Sequence, residues 1–108
     1  MTVLELSSLP EFSSCCLPVP EREIKGAYQG DLLSWVMGRA QADNAWITIM
    51  SNVNVIAVAS LSDVSCVIFC EGVTLPDDLV KTANDKMINI LYTDLTAFGV
   101  AERLAGKV

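Results

Sequence analysis

The chain has 108 residues, of which 52% are hydrophobic and 19% charged; that excludes a disordered chain and is enough apolar material for one self-supporting core. Its 13 acidic and 7 basic residues leave a net charge of −6. This balance argues against binding nucleic acid or an anionic membrane surface, since both call for Lys and Arg against phosphates.

No apolar run reaches the roughly 18 residues that a membrane-spanning helix needs. The opening MTVLELSSLP lacks the basic segment of a secretory leader. Thr2 and Glu5 match a capping box, so a short helix is predicted over residues 3–9, stopped by Pro10. EFSSCCLPV reads as a strand over 12–17 that ends at Pro18 and Pro20, and REIKGAY as a second short strand. Gly30 and Asp31 then open a helix over 32–40. Asp31 stands where an N-cap belongs, and Leu32, Leu33, Val36, Met37 and Ala40 repeat at helical spacing as a broad buried face.

AWITIM, at 45–50, is an apolar, β-branched run, which is the pattern of a strand buried on both faces. VSCVIFC, at 64–70, is another. Between them, Val53, Val55, Ala57 and Ala59 alternate like a strand, whereas the capping residues Ser51 and Asn52 and the alanines suit a helix. Two doubly buried neighbours are most simply parallel, and a parallel pair needs a crossover of about a dozen residues. A helix is therefore predicted over 51–63. Pro76 starts the next helix, with Asp77 and Asp78 against its positive end and Leu79, Val80, Ala83 and Met87 facing inward. INILY is the following strand, and Thr93 and Asp94 cap a last helix that reaches Gly106 as its C′ residue. From Ala45 onward the order is β-α-β-α-β-α. That predicts an α/β fold, a single layered domain over 1–108 with a mostly parallel central sheet flanked by helices.

Chemistry has few candidates. There is no histidine, so the usual base near neutral pH is missing, and no phosphate-binding loop of the G-x-x-x-x-G-K-[ST] kind occurs. Asp31, Asp77, Asp78 and Asp94 fall at helix starts, where capping accounts for them. Cys15, Cys16, Cys66 and Cys70 form no C-x-x-C, and neighbouring cysteines on a strand point to opposite faces. Free buried thiols in a reducing cytoplasm are favoured over a metal site or a redox pair. No metal, cofactor or catalytic residue is expected.

In open α/β sheets, ligands settle beyond the carboxyl ends of the strands. Three loops qualify: 26–31, Ser51 with Asn52, and Glu71-Gly72-Val73-Thr74. Gly26, Tyr28, Gly30, Asp31, Ser51 and Asn52 are the candidate ligand-binding residues. Asp31 would satisfy the local amides and repel a phosphate, so a hydroxyl, amide or base edge suits it better. Tyr28, Trp35 and Trp46 supply either a stacking platform or packing in the core and at an interface with a second subunit.

IKGAYQGDLLSWVMGRAQADNAWITIMSNVNVIAVASLSDVSCVIFCEGV resembles a DRTGG domain of the small stand-alone kind found in anaerobic bacteria such as clostridia. The resemblance extends over about residues 22–104 and rests on the G-x-Y-x-G-D-L-L-S-W-V-M-G segment, the A-W-I-T strand and N-V-x-A-V-A together. It implies a fold like the N-terminal domain of HPr kinase/phosphorylase, with a helix after A-W-I-T-I-M. Larger members carry this domain beside CBS domains or within phosphate acetyltransferases, where it is regulatory. Stand-alone members occur among genes for iron hydrogenases and are sometimes labelled serine kinases. Where the family name has D-R and T-G-G, this chain has Glu21-Arg22 and Lys25-Gly26-Ala27. The functional expectation is a cytoplasmic, non-catalytic regulatory or ligand-sensing domain, acting as a homodimer on a small molecule or nucleotide. The alternative is an accessory interaction module of a hydrogenase or another anaerobic redox complex, with a serine-kinase-related enzyme as the third reading.

Overall fold

Two strands with no solvent face organise the chain. In the computed structural model, which describes all residues from Met1 to Val108, these are β3 (Ala45–Thr48) and β4 (Cys66–Phe69), and every residue of both is buried. Around them lie β1 (Phe12–Cys16), β2 (Ala27–Gln29) and β5 (Ile90–Thr93), with helices α1 (Val3–Ser7), α2 (Leu33–Arg39), α3 (Asn54–Ser62), α4 (Asp77–Asp85) and α5 (Ala97–Leu104). The five strands run in the order β1-β5-β4-β3-β2. β2, β3, β4 and β5 are mutually parallel, and β1 pairs antiparallel with β5. The expected layered α/β architecture is the one observed.

Because β2 to β5 step across the sheet in one direction, right-handed crossovers place α2, α3 and α4 on the same face. Trp46, Val67, Phe69 and Ile90 point to that face and pack with Val36, Val55, Ile56, Leu79 and Ala83. The alternate residues Ala45, Ile47, Cys66, Ile68 and Leu91 point the other way and meet Val3, Leu6, Val100 and Leu104 from α1 and α5. Period-two alternation on each strand thus feeds two apolar layers. No helix is long and apolar enough to cross a membrane.

The 51–63 segment is helical, as the crossover requires, over Asn54–Ser62. Val55, Ile56, Val58 and Ala59 are buried there, and the Asn52 side chain accepts from the Asn54 amide at 2.9 Å. The capping box of α1 is present, with Thr2 and Glu5 exchanging hydrogen bonds. Gly106, at φ 77°, follows α5 in the left-handed conformation that a C′ glycine adopts.

Five local expectations are corrected. Asp31 does not cap α2; Leu32 occupies that position without a side-chain cap, because Asp31 is turned toward β3. Thr96, not Thr93 or Asp94, caps α5 by accepting from the Gly99 amide at 3.1 Å. Met87 lies beyond α4 at φ 62° and is exposed, so it carries no inward face. α2 buries only Val36, leaving Leu32, Trp35 and Met37 exposed. Finally, Cys15 and Cys16 do not face opposite ways. A bulge between Ser14 and Cys16 inserts an extra residue against β5, and both thiols pack toward the α4 side.

The amino end of the sheet is closed by polar staples. Asn89, 1% exposed, donates to the Val19 and Ser65 carbonyls and accepts from the Val19 amide. Arg22 donates to Asp43 Oδ1 at 3.0 and 3.1 Å, and to the Asp63 carbonyl and carboxylate at 2.6 and 2.9 Å. Asp43 and Asp63 both sit at positive φ, 68° and 55°, so Arg22 secures two turns held in the left-handed region. Asn89→Ala orphans buried groups and is expected to cost about 3 kcal/mol. Arg22→Ala, whose partners are partly solvated, should cost only about 1 kcal/mol. Urea denaturation of the two variants should return that order; an equal loss would show that the Arg22 cluster carries more of the fold than its solvation allows.

Candidate functional site

The carboxyl ends of the parallel strands form one edge of the molecule, and the expected binding residues distribute unevenly along it. Gly30 and Asp31 follow β2, and Ser51 and Asn52 lie between β3 and α3. Tyr28 is the middle residue of β2, half-buried against the α2–α3 layer. Gly26 stands before β2 at the amino end, at φ 75°. At about 3.3 Å per residue it is on the order of 13 Å from Gly30. The Glu21-Arg22 and Lys25-Gly26-Ala27 segments therefore belong to the stapled amino end.

At the β2–β3 side the polar groups are largely spent on one another. Asp31 Oδ1 accepts from the Thr48 hydroxyl at 2.8 Å and from the Ile49 amide at 2.9 Å. Thr48 in turn accepts from the Met50 amide at 3.1 Å. The Trp46 indole, fully buried, donates to the Gly30 carbonyl at 2.9 Å, which assigns Trp46 to the core and not to a stacking platform. A Cβ on Gly30 would fall 2.9 Å from the Tyr28 ring, so glycine is what lets that ring close over the turn. Trp35 is exposed and carries the Arg39 guanidinium 3.9 Å above its ring.

The larger concavity opens at the other side of the same edge, beyond β4 and β5 and against β1. It encloses about 380 Å³, and its walls include Glu11, Phe12, Gly72, Thr74, Tyr92 and Asp94. The Thr93 hydroxyl, nearly buried, donates to the Glu11 carbonyl at 2.7 Å and accepts from the Leu95 amide at 3.1 Å, fixing two walls relative to β5. The Glu71 amide donates to the Leu95 carbonyl at 2.8 Å and the Gly72 amide to the Thr93 carbonyl at 3.0 Å. Gly72 adopts φ 77°, and a Cβ there would come 3.3 Å from Asp94 Oδ1. Of the loops expected at this edge, 71–74 is the one that borders the cavity. Glu11, Tyr92 and Asp94 went unrecognised, because nothing in EFSSCC announces that β1 pairs beside β5. The approach of Glu11 to Thr93, 82 positions later, is visible only in three dimensions.

Burial keeps one phenol and two thiols of the chain protonated at neutral pH. Burial first, then contact with Cys15, pushes the Tyr92 phenol up to about 12. Its oxygen accepts from the Leu75 amide at 3.0 Å and lies 3.1 Å from Cys15 Sγ. Burial likewise raises the Cys16 thiol to about 11 and the Cys66 thiol to about 12. All four cysteines are free, Cys66 and Cys70 buried and Cys15 and Cys16 half-buried. No three His, Cys, Asp or Glu side chains gather as metal ligands.

Asp31→Ala leaves the Thr48 hydroxyl and the Ile49 amide without their acceptor and is expected to lower stability by about 2 kcal/mol. Asp31→Asn keeps one acceptor oxygen and should lose about half as much. Thermal melts of both variants check this, and an equal loss would mean that the charge, not the hydrogen bonds, fastens the turn.

No protein-family model and no curated protein sequence matches the chain. Among solved structures, it is similar to the CBS and DRTGG domains of the regulatory region of Clostridium perfringens pyrophosphatase, crystallised with the activator diadenosine tetraphosphate. The TM-score is 0.68 and the identity 16%, over 94% of this chain and 43% of that one. This chain thus spans less than half the length of that regulatory region. At such identity the likeness is one of fold, and it agrees with the DRTGG-type α/β domain that the sequence resembles.

Proposed function

We propose that this chain is a non-catalytic regulatory domain that senses a small molecule in the cavity at the carboxyl ends of β4 and β5. The observation that carries this reading is the position of the cavity. It lies at the strand end where open α/β sheets receive ligands, and its volume of about 380 Å³ falls within the roughly 300–1,000 Å³ of small-molecule sites. The similar solved region is regulatory and was crystallised with a nucleotide activator, which supports sensing over turnover. The side chains agree. Tyr92 is held protonated, and the Cys16 and Cys66 thiols ionise far above neutral pH, which leaves them poor nucleophiles.

A ligand at about 100 times its dissociation constant adds about 2.7 kcal/mol of stability, which for a domain of this length is a rise of roughly 10 °C or more in melting temperature. A thermal-shift panel of metabolites and nucleotides should find at least one such compound. Thr74→Trp, placed on an exposed wall residue, should abolish that shift while the free protein still folds. A panel without a hit, or a shift indifferent to Thr74→Trp, overturns the assignment.

The domain acts as a homodimer in this reading, through the face that α2 leaves open. Leu32, Trp35, Ile49 and Val53 are 62, 54, 45 and 63% exposed on the adjoining β2–α2 and β3–α3 segments. They flank β2, whose outer edge has no partner strand. Light scattering should return twice the 11.7 kDa chain mass, and Trp35→Asp should return it to one. A monomeric wild type would instead favour an accessory role in which the same face meets a different protein, as in a redox complex.

A further inference from the structure

The cavity beyond β4 and β5 also carries information about the charge of its ligand. No Lys or Arg lines it, and its two charged walls are the carboxylates of Glu11 and Asp94. Glu11 has one cationic neighbour, Arg103, whose Nε stands 3.5 Å from Oε2. Asp94 forms no ion pair and is exposed to the cavity mouth.

The backbone supplies little of the positive potential that the side chains lack, since four of the five amides over 71–75 are already engaged. An anion at a strand–loop edge is normally held by free amides. Here the amides of Glu71, Gly72 and Val73 donate to the Leu95, Thr93 and Cys70 carbonyls. Those of Leu75 and Leu95 donate to Tyr92 and Thr93 side-chain oxygens. The nearby start of α4 carries Asp77 and Asp78 in its first turn, which further offsets its dipole. A polyphosphate would meet two carboxylates and no cationic side chain in the lining, with Thr74 the one residue of 71–75 whose amide has no acceptor.

A cation meets the opposite conditions. The net charge of −6 and the concave, partly apolar walls concentrate a negative potential at the cavity. A bare metal ion is not suited, because no third acidic, thiol or imidazole ligand joins Glu11 and Asp94. About 380 Å³ is also far more room than an ion fills. Phe12, Val73 and Pro10 add apolar surface for a carbon body.

We propose that the cavity takes a small organic cation, an ammonium or guanidinium head on a short apolar body, with Asp94 as its principal charge partner and Glu11 as the second. This rests on the sensing role assigned to the cavity and specifies the ligand class for it. Asp94 contributes more than Glu11 because Arg103 already balances the latter.

Calorimetric titration of the full chain at physiological salt tests it, with putrescine and agmatine as cations, ADP and diadenosine tetraphosphate as anions, and magnesium alone. At least one amine should bind, and Thr74→Trp should abolish that binding. Asp94→Asn should weaken it about tenfold or more, and Glu11→Gln by less. Circular dichroism of each variant confirms that it folds. Amine binding that ignores Asp94→Asn and Thr74→Trp would be diffuse surface attraction and overturns the proposal. An anion that binds in a Thr74→Trp-sensitive way while the amines do not overturns the charge class and leaves sensing in place. If no probe binds but the wider metabolite panel yields a neutral ligand blocked by Thr74→Trp, the charge class again falls alone. If nothing binds in either experiment, both readings fall.

Discussion

Burying β3 and β4 on both faces is the constraint from which the rest of the architecture follows. A strand whose every side chain is buried cannot lie at a surface, so each face of the sheet needs its own helical cover. The chain meets this in two ways. Right-handed crossovers deliver α2, α3 and α4 to one face automatically, as each parallel strand is laid beside the last. The other face receives nothing from those crossovers, and its cover comes from the two ends of the chain, α1 and α5. The terminal helices are consequently as much part of the core as the central strands, with Val3, Leu6, Val100 and Leu104 all essentially buried.

The same constraint decides where a ligand can be received. Strand order without reversal among β2 to β5 removes the internal crevice that doubly wound sheets open where their strand order turns back. What remains is the carboxyl edge, and along it the space depends on what each loop does with its polar groups. Beside β2 and β3 the loop closes on itself, because Asp31, Thr48 and the Ile49 amide satisfy one another and Trp46 fastens Gly30. Beside β4 and β5 the antiparallel β1 continues past the end of the sheet through Pro10 and Glu11 and raises a wall opposite the 71–74 loop. An added antiparallel edge strand thus makes the concavity that the parallel part of the sheet lacks.

These differences explain what was legible in the sequence. The doubly buried runs AWIT and VSCVIF, the length between them, and the Pro-Asp-Asp start of α4 are local signals whose physics is local too, so the fold class and the crossover helix could be read directly. The alternation across Val53 to Ala59 imitates a strand because α3 is apolar on most sides, which erases the contrast that normally marks a helix. Asp31 shows the other limit. An aspartate one residue before an apolar helix is a good cap on statistical grounds, yet a hydroxyl and an amide on the next strand compete for the same oxygen, and that competition depends on register. The site was less legible still. Topology places Gly30, Asp31, Ser51 and Asn52 at the carboxyl edge, but Glu11 reaches that edge through a long-range contact with Thr93 that no motif encodes.

The fold likeness to a nucleotide-activated regulatory region does not transfer that region's ligand, and the reason is electrostatic. Fold is set by the apolar alternation of β3, β4 and β5, which can be kept while every loop at the carboxyl edge changes its charge. In this chain Arg22 is committed at the amino end to Asp43 and Asp63. The carboxyl edge carries Asp31, Glu71 and Asp94, and most of the amides over 71–75 are already in use. A domain so arranged can keep the same scaffold while presenting the opposite potential at its carboxyl edge, and under the proposed reading the chemistry of recognition is read from Glu11 and Asp94 and not from the fold.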